Sequence, residues 1–163
     1  MGVNTDTIWN LLEEVTDPEI PVLTVADLGI IRDIRLHKDG LLEVVITPTY
    51  SGCPAMNTIE VNIRAVLQEK GYDKVRVTTV LHPAWTTDWI TERGRQRLKA
   101  YGIAPPVKGT VDKNALFQNP PAVECPQCGS TNTEMASQFG STACKALYRC
   151  LDCKEPFDYF KCH

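Results

Sequence analysis

Cysteine placement constrains this chain more than any other feature. Seven cysteines occur in 163 residues, and six of them lie between Cys125 and Cys162. Four stand in two Cys-x-x-Cys units, Cys125-Pro126-Gln127-Cys128 and Cys150-Leu151-Asp152-Cys153, with 21 residues between them. Two residues between thiolates let one tight turn bring both sulfurs within ~2.3 Å of an ion, and two such turns complete a tetrahedron. The intervening 21 residues suffice for a β-hairpin. The expectation is therefore a zinc ribbon with Cys125, Cys128, Cys150 and Cys153 as ligands. Two disulfides or four buried thiols are the competing readings; a reducing compartment favours metal. A stretch as short as 124–163 has little apolar surface with which to order itself, so a staple is required. Cys144, Cys162 and His163 are left over. Core packing is the expectation for Cys144, and all three are candidate additional ligands.

The rest of the chain has a different character. Apolar residues make up 43% of the whole, enough for a real core in residues 1–103. Ile8, Leu11, Leu12 and Val15 recur at helical spacing, which predicts a helix over 5–15 capped by Thr5. The prolines of Thr16-Asp17-Pro18-Glu19-Ile20-Pro21 force a loop. Strands follow over 30–37 and 41–47, joined by the turn Lys38-Asp39-Gly40. Pro54 suits a first helical position, and Met56, Ile59, Ile63, Val66 and Leu67 form an apolar stripe ending at Gly71. A third strand is expected over 74–81 and a last helix over 86–100. This order gives an α+β fold, a small mixed sheet with packed helices, followed by a small zinc-ribbon β domain. Residues 104–123, rich in proline, read as a linker between a domain at 1–103 and the ribbon at 124–163.

Charge and hydropathy exclude several functions. Net charge is −3, and residues 124–163 hold five acidic and four basic side chains, so no basic face exists to grip a nucleic acid. No apolar run reaches the ~18 residues of a membrane span. The N-terminal stretch lacks the basic start and apolar core of a secretory signal, and Asp6 stands where a myristoylation signal wants Ser or Thr. A cytoplasmic protein is expected. No di-iron Glu-x-x-His helix pattern and no Gly-rich dinucleotide fingerprint is present.

Cys53 is the one cysteine of the first domain, at the inferred start of a helix, where free amides favour thiolate. It reads as a metal or cluster ligand, as a capping residue without chemistry, or as a nucleophile with His82 as base. His37 reads as an exposed strand residue. Trp85 and Trp89 read as aromatic bulk that closes the core, with a partner-binding patch as the alternative.

Three segments carry a resemblance: Asp17-Pro18-Glu19-Ile20-Pro21, Asp27-Leu28-Gly29, and Thr47-Pro48-Thr49-Tyr50-Ser51-Gly52-Cys53-Pro54. They resemble the SufT-like iron–sulfur assembly domain family. With the ribbon, including Phe139-Gly140-Ser141-Thr142-Ala143-Cys144 and Glu155-Pro156-Phe157-Asp158-Tyr159-Phe160, the chain resembles the PaaD family. The resemblance implies that Cys53 matches the family's reactive cysteine and that Asp17 and Glu19 match its acidic loop; Thr47 joins them as a candidate for holding iron or a cluster. It implies an accessory or maturation factor of the phenylacetyl-CoA 1,2-epoxidase system in aerobic phenylacetate degradation, with no catalytic activity of its own. Its cofactors would be zinc and a transient iron–sulfur cluster. Its partners would be epoxidase components, chiefly the iron–sulfur flavin reductase subunit. The alternative is a non-catalytic structural or regulatory subunit of the same oxygenase.

Overall fold

The computed structural model describes residues 4–49, 52–106, 122–140 and 145–160. The chain divides into two compact units, Met1–Trp85 with Trp89–Thr91, and Thr86–Asp88 with Glu92–His163.

The first unit opens with helix α1, Thr5–Leu12. Its cap is Asn4, not Thr5: the Asn4 side-chain oxygen accepts from the Asp6 amide at 3.0 Å, and Thr5 is the first helical residue. The helix stops short of residue 15 because the last turn tightens. The amides of Glu13, Glu14 and Val15 bond carbonyls three residues back, at 3.3, 3.1 and 3.1 Å. Ile8, Leu12 and Val15 are nonetheless buried, as their spacing requires.

Three strands follow, β1 (Ile31–Leu36), β2 (Leu42–Ile46) and β3 (Val75–Thr79), with helix α2 (Ala55–Glu69) between the last two. The sheet order is β1-β2-β3. The β1–β2 pair is antiparallel and the β2–β3 pair parallel, so the sheet is mixed, as the order of elements predicts. Side chains alternate across a pleated strand. Leu42, Val44 and Ile46 therefore share one face with Ile34, Val75 and Val77, and all of these are buried. The opposite face pairs Asp33 with Val45, Arg35 with Glu43, and Val45 with Thr78. There Glu43 is buried and accepts from the Thr78 hydroxyl at 2.7 Å, and His37 Nε2 lies 2.9 Å from its other oxygen. His37 is thus a paired residue rather than a merely exposed one.

Trp85 is buried, and its indole N–H donates to the Leu28 carbonyl at 2.7 Å, so it closes the core. Gly29 at φ +71° lies directly under Trp89; a Cβ there would come within 2.7 Å of the Trp89 Cβ. Only glycine combines that torsion with that approach. Trp89 in turn carries the Arg32 guanidinium 3.7 Å above its ring.

The helix expected over 86–100 begins later, at Glu92. Thr91 explains the delay: its amide donates to the Asp27 carbonyl at 2.9 Å and its hydroxyl to the Asp27 carboxylate at 3.1 Å, which holds it out of helical register. Residues Thr87–Trp89 form a short 3-10 turn instead.

In the second unit α3 (Glu92–Tyr101) leads into β4 (Ile103–Ala104), which pairs in parallel with β7 (Pro156–Phe160). Strand β5 (Thr133–Ser137) and strand β6 (Lys145–Cys150) form the hairpin expected between the two cysteine pairs, and β6 also pairs antiparallel with β7. The sheet order is β4-β7-β6-β5. Its core gathers Ala104, Val123, Ala146, Tyr148, Phe157 and Tyr159 around Cys125 and Cys150. Of the linker range 104–123, Ala104 lies in this sheet and Val123 in this core, and residues 107–121 lie outside the described residues. Helix α3, written ERGRQRLKAY, has too little apolar periodicity to reveal from sequence which core it joins. Its Arg95 is buried and donates to the carbonyls of Thr87 and Pro106, which fixes both ends of the segment around the helix.

Candidate functional site

Both cysteine pairs sit on turns of the same design. In the first, the Cys125 amide donates to the Ser130 carbonyl at 2.8 Å, and in the second the Cys150 amide donates to the Glu155 carbonyl at 3.0 Å. The residue after the second cysteine has positive φ in each, Gly129 at +76° and Lys154 at +68°. That torsion curls the chain back around the sulfurs; glycine adopts it freely, whereas lysine does so against a steric penalty.

The turns bring four sulfurs together. Their ligand atoms all lie within 4.8 Å of one another, and among the described residues no other group of three or more Cys, His, Asp and Glu side chains converges in this way. Cys125 and Cys153 sulfurs are 3.8 Å apart, and those of Cys128 and Cys150 are 3.6 Å apart. A tetrahedron with metal–sulfur bonds of ~2.3 Å has edges of ~3.8 Å, so the spacing fits one zinc ion. The sulfurs are far beyond the ~2.05 Å of a disulfide.

Electrostatics make the same point. The Cys153 amide, 3.5 Å from the Cys150 sulfur, draws the Cys150 thiol down to about 7. At Cys153 the Glu155 amide pulls downward, but burial and the three neighbouring sulfurs outweigh it and push the thiol up to about 12. At Cys128 the Ser130 amide also pulls down and is outweighed by the Cys150 sulfur and burial, so the thiol is raised. One sulfur takes a negative charge readily and its neighbours then resist; a divalent cation removes that conflict. The donor set suits a closed structural site, with no position left for substrate. Cys144, Cys162 and His163 lie outside the described residues.

The candidates of the first unit are arranged differently. Thr47 directly follows β2, and its amide donates to the Ile30 carbonyl at 2.9 Å. It is fully buried, and its hydroxyl has no hydrogen-bond partner among the described residues. Native structures leave few buried polar atoms unpaired, and those few call for an explanation. Six residues on, Cys53 stands just before α2 as a partly exposed free thiol, its carbonyl accepting from the Met56 amide at 3.2 Å. Pro54 has helical torsions and occupies the cap position, one residue before the helix proper. Tyr50 and Ser51 lie outside the described residues.

Asp17 is buried, and one of its oxygens accepts from the amides of Glu19 and Ile20 at 2.7 and 2.9 Å, so the carboxylate shapes its own loop. Backbone bonds connect that loop to the Thr47 end of β2: Asp17 to Leu23, Val25 to Val15, Ile30 to Val25, and Thr47 to Ile30. Among the described residues, Cys53, Asp17 and Glu19 do not converge as a ready-made ligand set. His82, the proposed base of the nucleophile reading, is exposed beyond the end of β3.

Asp27 went unremarked in the sequence except as part of a motif, yet it is fully buried and bonds Thr24 and Thr91. Its signal is the Thr24-x-x-Asp27 pair, in which the Thr24 hydroxyl accepts from the Asp27 amide at 3.0 Å.

Comparison with known proteins finds a separate match for each part of the chain. Residues 5–80 match the family described as iron-sulfur cluster assembly protein, and residues 109–161 match the PaaD zinc beta ribbon domain. The chain is 50% identical, over 95% of its length and 91% of the other's, to an Escherichia coli (strain K12) protein named as one subunit of a "Putative 1,2-phenylacetyl-CoA epoxidase". The chain belongs to the PaaD family. An Fe-S protein maturation auxiliary factor of Porphyromonas gingivalis is 34% identical over 57% of this chain and 89% of its own. A solved DUF59 domain from Bacillus anthracis superposes with a TM-score of 0.53 over 57% of this chain and 89% of its own, at 23% identity, which establishes a shared fold. PaaD-family membership thus joins an assembly-type domain to a zinc ribbon, and the four converging sulfurs fit the metal that such a ribbon holds. No helix among the described residues is long and apolar enough to cross a membrane.

Proposed function

We propose that this protein is a cytoplasmic maturation factor that supplies an iron–sulfur cluster to the reductase component of a phenylacetyl-CoA 1,2-epoxidase. The observation that carries the reading is the β2–α2 connection, where a partly exposed free thiol, Cys53, follows a buried hydroxyl, Thr47, that has no partner among the described residues. In this reading iron or a cluster is cargo. Cys53 holds it transiently, Thr47, Asp17 and Glu19 act around it, and the zinc ribbon docks the client. An incomplete ligand set suits a carrier, because an open coordination position lets the acceptor's own ligands bind the cargo before the carrier's bonds break. Similarity to an epoxidase subunit and to a maturation factor supports the pairing of client and role. The protein catalyses no ring chemistry itself.

The test is to purify the reductase from cells carrying Cys53→Ser and to measure its iron and acid-labile sulfide. The expected result is a clear deficit in both; normal cluster content overturns the reading. A second reading, a structural or regulatory subunit of the oxygenase, draws on the name of the Escherichia coli relative. It requires stoichiometric co-purification with the active oxygenase, whereas a maturation factor is absent from the finished complex.

A further inference from the structure

The two zinc-binding turns are fastened to each other by side chains that are not ligands. Asp152 lies inside the second pair, between Cys150 and Cys153. One of its oxygens accepts from the Ser130 hydroxyl in a short hydrogen bond, and the other accepts from the Asn132 side-chain amide at 3.1 Å. Ser130 and Asn132 follow the first pair and are themselves joined, the Asn132 amide donating to the Ser130 hydroxyl oxygen at 3.0 Å. A backbone bond closes the ring, from the Leu151 amide to the Asn132 carbonyl at 2.8 Å. Both carboxylate oxygens are therefore occupied by the opposite turn. The design is one-sided: at the positions related by the repeat, the side chains of Gln127 and Glu155 make no matching hydrogen bond among the described residues.

We propose that Asp152 is the positioning residue of the metal centre and that the clamp it forms with Ser130 and Asn132 sets how slowly the ribbon releases its ion. Each turn supplies two of the four sulfurs, so metal leaves when the turns separate, and they separate only after the clamp opens. Hydrogen bonds to an ionised carboxylate are the strong members of their class, and two on one group also fix its orientation. Partners outside the ligand shell typically change metal affinity ~10–100-fold. The clamp is exposed, so the lower end of that range applies.

The experiment uses the full chain loaded with zinc and follows transfer of zinc to a coloured chelator in excess. Asp152→Ala is expected to release zinc ~10-fold faster than the parent, and Ser130→Ala, which leaves the Asn132 bond, to fall between the two. Cobalt-substituted Asp152→Ala should retain tetrahedral d–d bands, since the four sulfurs are untouched. A general loss of stability would make the two substitutions add. A clamp predicts that the double variant releases zinc no faster than Asp152→Ala alone. Release within ~2-fold of the parent in Asp152→Ala overturns the proposal, as does a double variant whose effect is the product of the single ones. Should Asp152→Ala fail to load metal, Ser130→Ala decides alone, and an unchanged rate there overturns the proposal.

Discussion

Replacing Thr47 with valine should make the first unit more stable and the protein less competent. The Thr47 side chain is fully buried and its hydroxyl has no partner among the described residues. Holding an unpaired hydroxyl out of water costs ~1–3 kcal/mol. Valine has nearly the same shape, so Thr47→Val removes that cost without opening a cavity. A gain of ~1.5 kcal/mol is expected, which at a urea m-value of ~2 kcal/mol/M moves the unfolding midpoint upward by ~0.7 M. The assay is unusually clean, because all three tryptophans, Trp9, Trp85 and Trp89, lie in the first unit and the ribbon has none. Urea titration followed by tryptophan fluorescence therefore reports that unit alone, at fixed zinc. Thr47→Ser keeps the hydroxyl, loses a methyl group and should be destabilised by ~1 kcal/mol. In cells, Thr47→Val should lower the iron and sulfide content of the reductase. Opposite signs of stability and function mark a residue kept for its chemistry. A falling midpoint in Thr47→Val refutes the premise, since it means the hydroxyl is bonded in solution. A rising midpoint with normal cluster content removes Thr47 from the site.

Gly29→Ala should cost ~3 kcal/mol or more, combining a left-handed torsion with a Cβ forced against the Trp89 backbone, and fluorescence-detected urea unfolding measures it. Glu43 sets a pH dependence: the Thr78 hydroxyl, and then His37, hold its carboxyl below the ordinary value of 4.5. The unfolded chain therefore takes up this proton first, so the stabilisation is complete above about 4.5 and is lost as pH falls below it. Acid unfolding of Glu43→Gln should be correspondingly shallower below that pH, and an acid limb identical to the parent's would contradict the pairing.

What could be read from the sequence follows from the range of the interactions involved. The zinc turns are local, written in the two-residue spacing of their cysteines and in Gly129, so the site and the intervening hairpin are both foreseeable. The mixed sheet is equally legible in the β-branched residues of its strands and in the hairpin turn at Gly40. Long-range pairings of ordinary polar residues are not. Nothing marks Asp152 as the partner of Ser130 and Asn132, twenty or so residues away, or Glu43 as the partner of His37 and Thr78. Lys154 hides the symmetry of the two turns, because a positive φ is signalled by glycine and not by lysine. Residues 92–104 are hard to place for a further reason: half of α3 is charged, and β4 contributes only two residues, too short for a strand pattern.

That two-residue strand has a practical side. Cutting the gene at residue 124 to obtain the ribbon by itself would discard Ile103 and Ala104, and with them the neighbour of Asp158 and Tyr159. The bared rim of β7 would be an unpaired strand edge, free to recruit another molecule and so to promote clumping. An excised ribbon that keeps β4 and the rest of its compact unit starts upstream of α3, by Thr86.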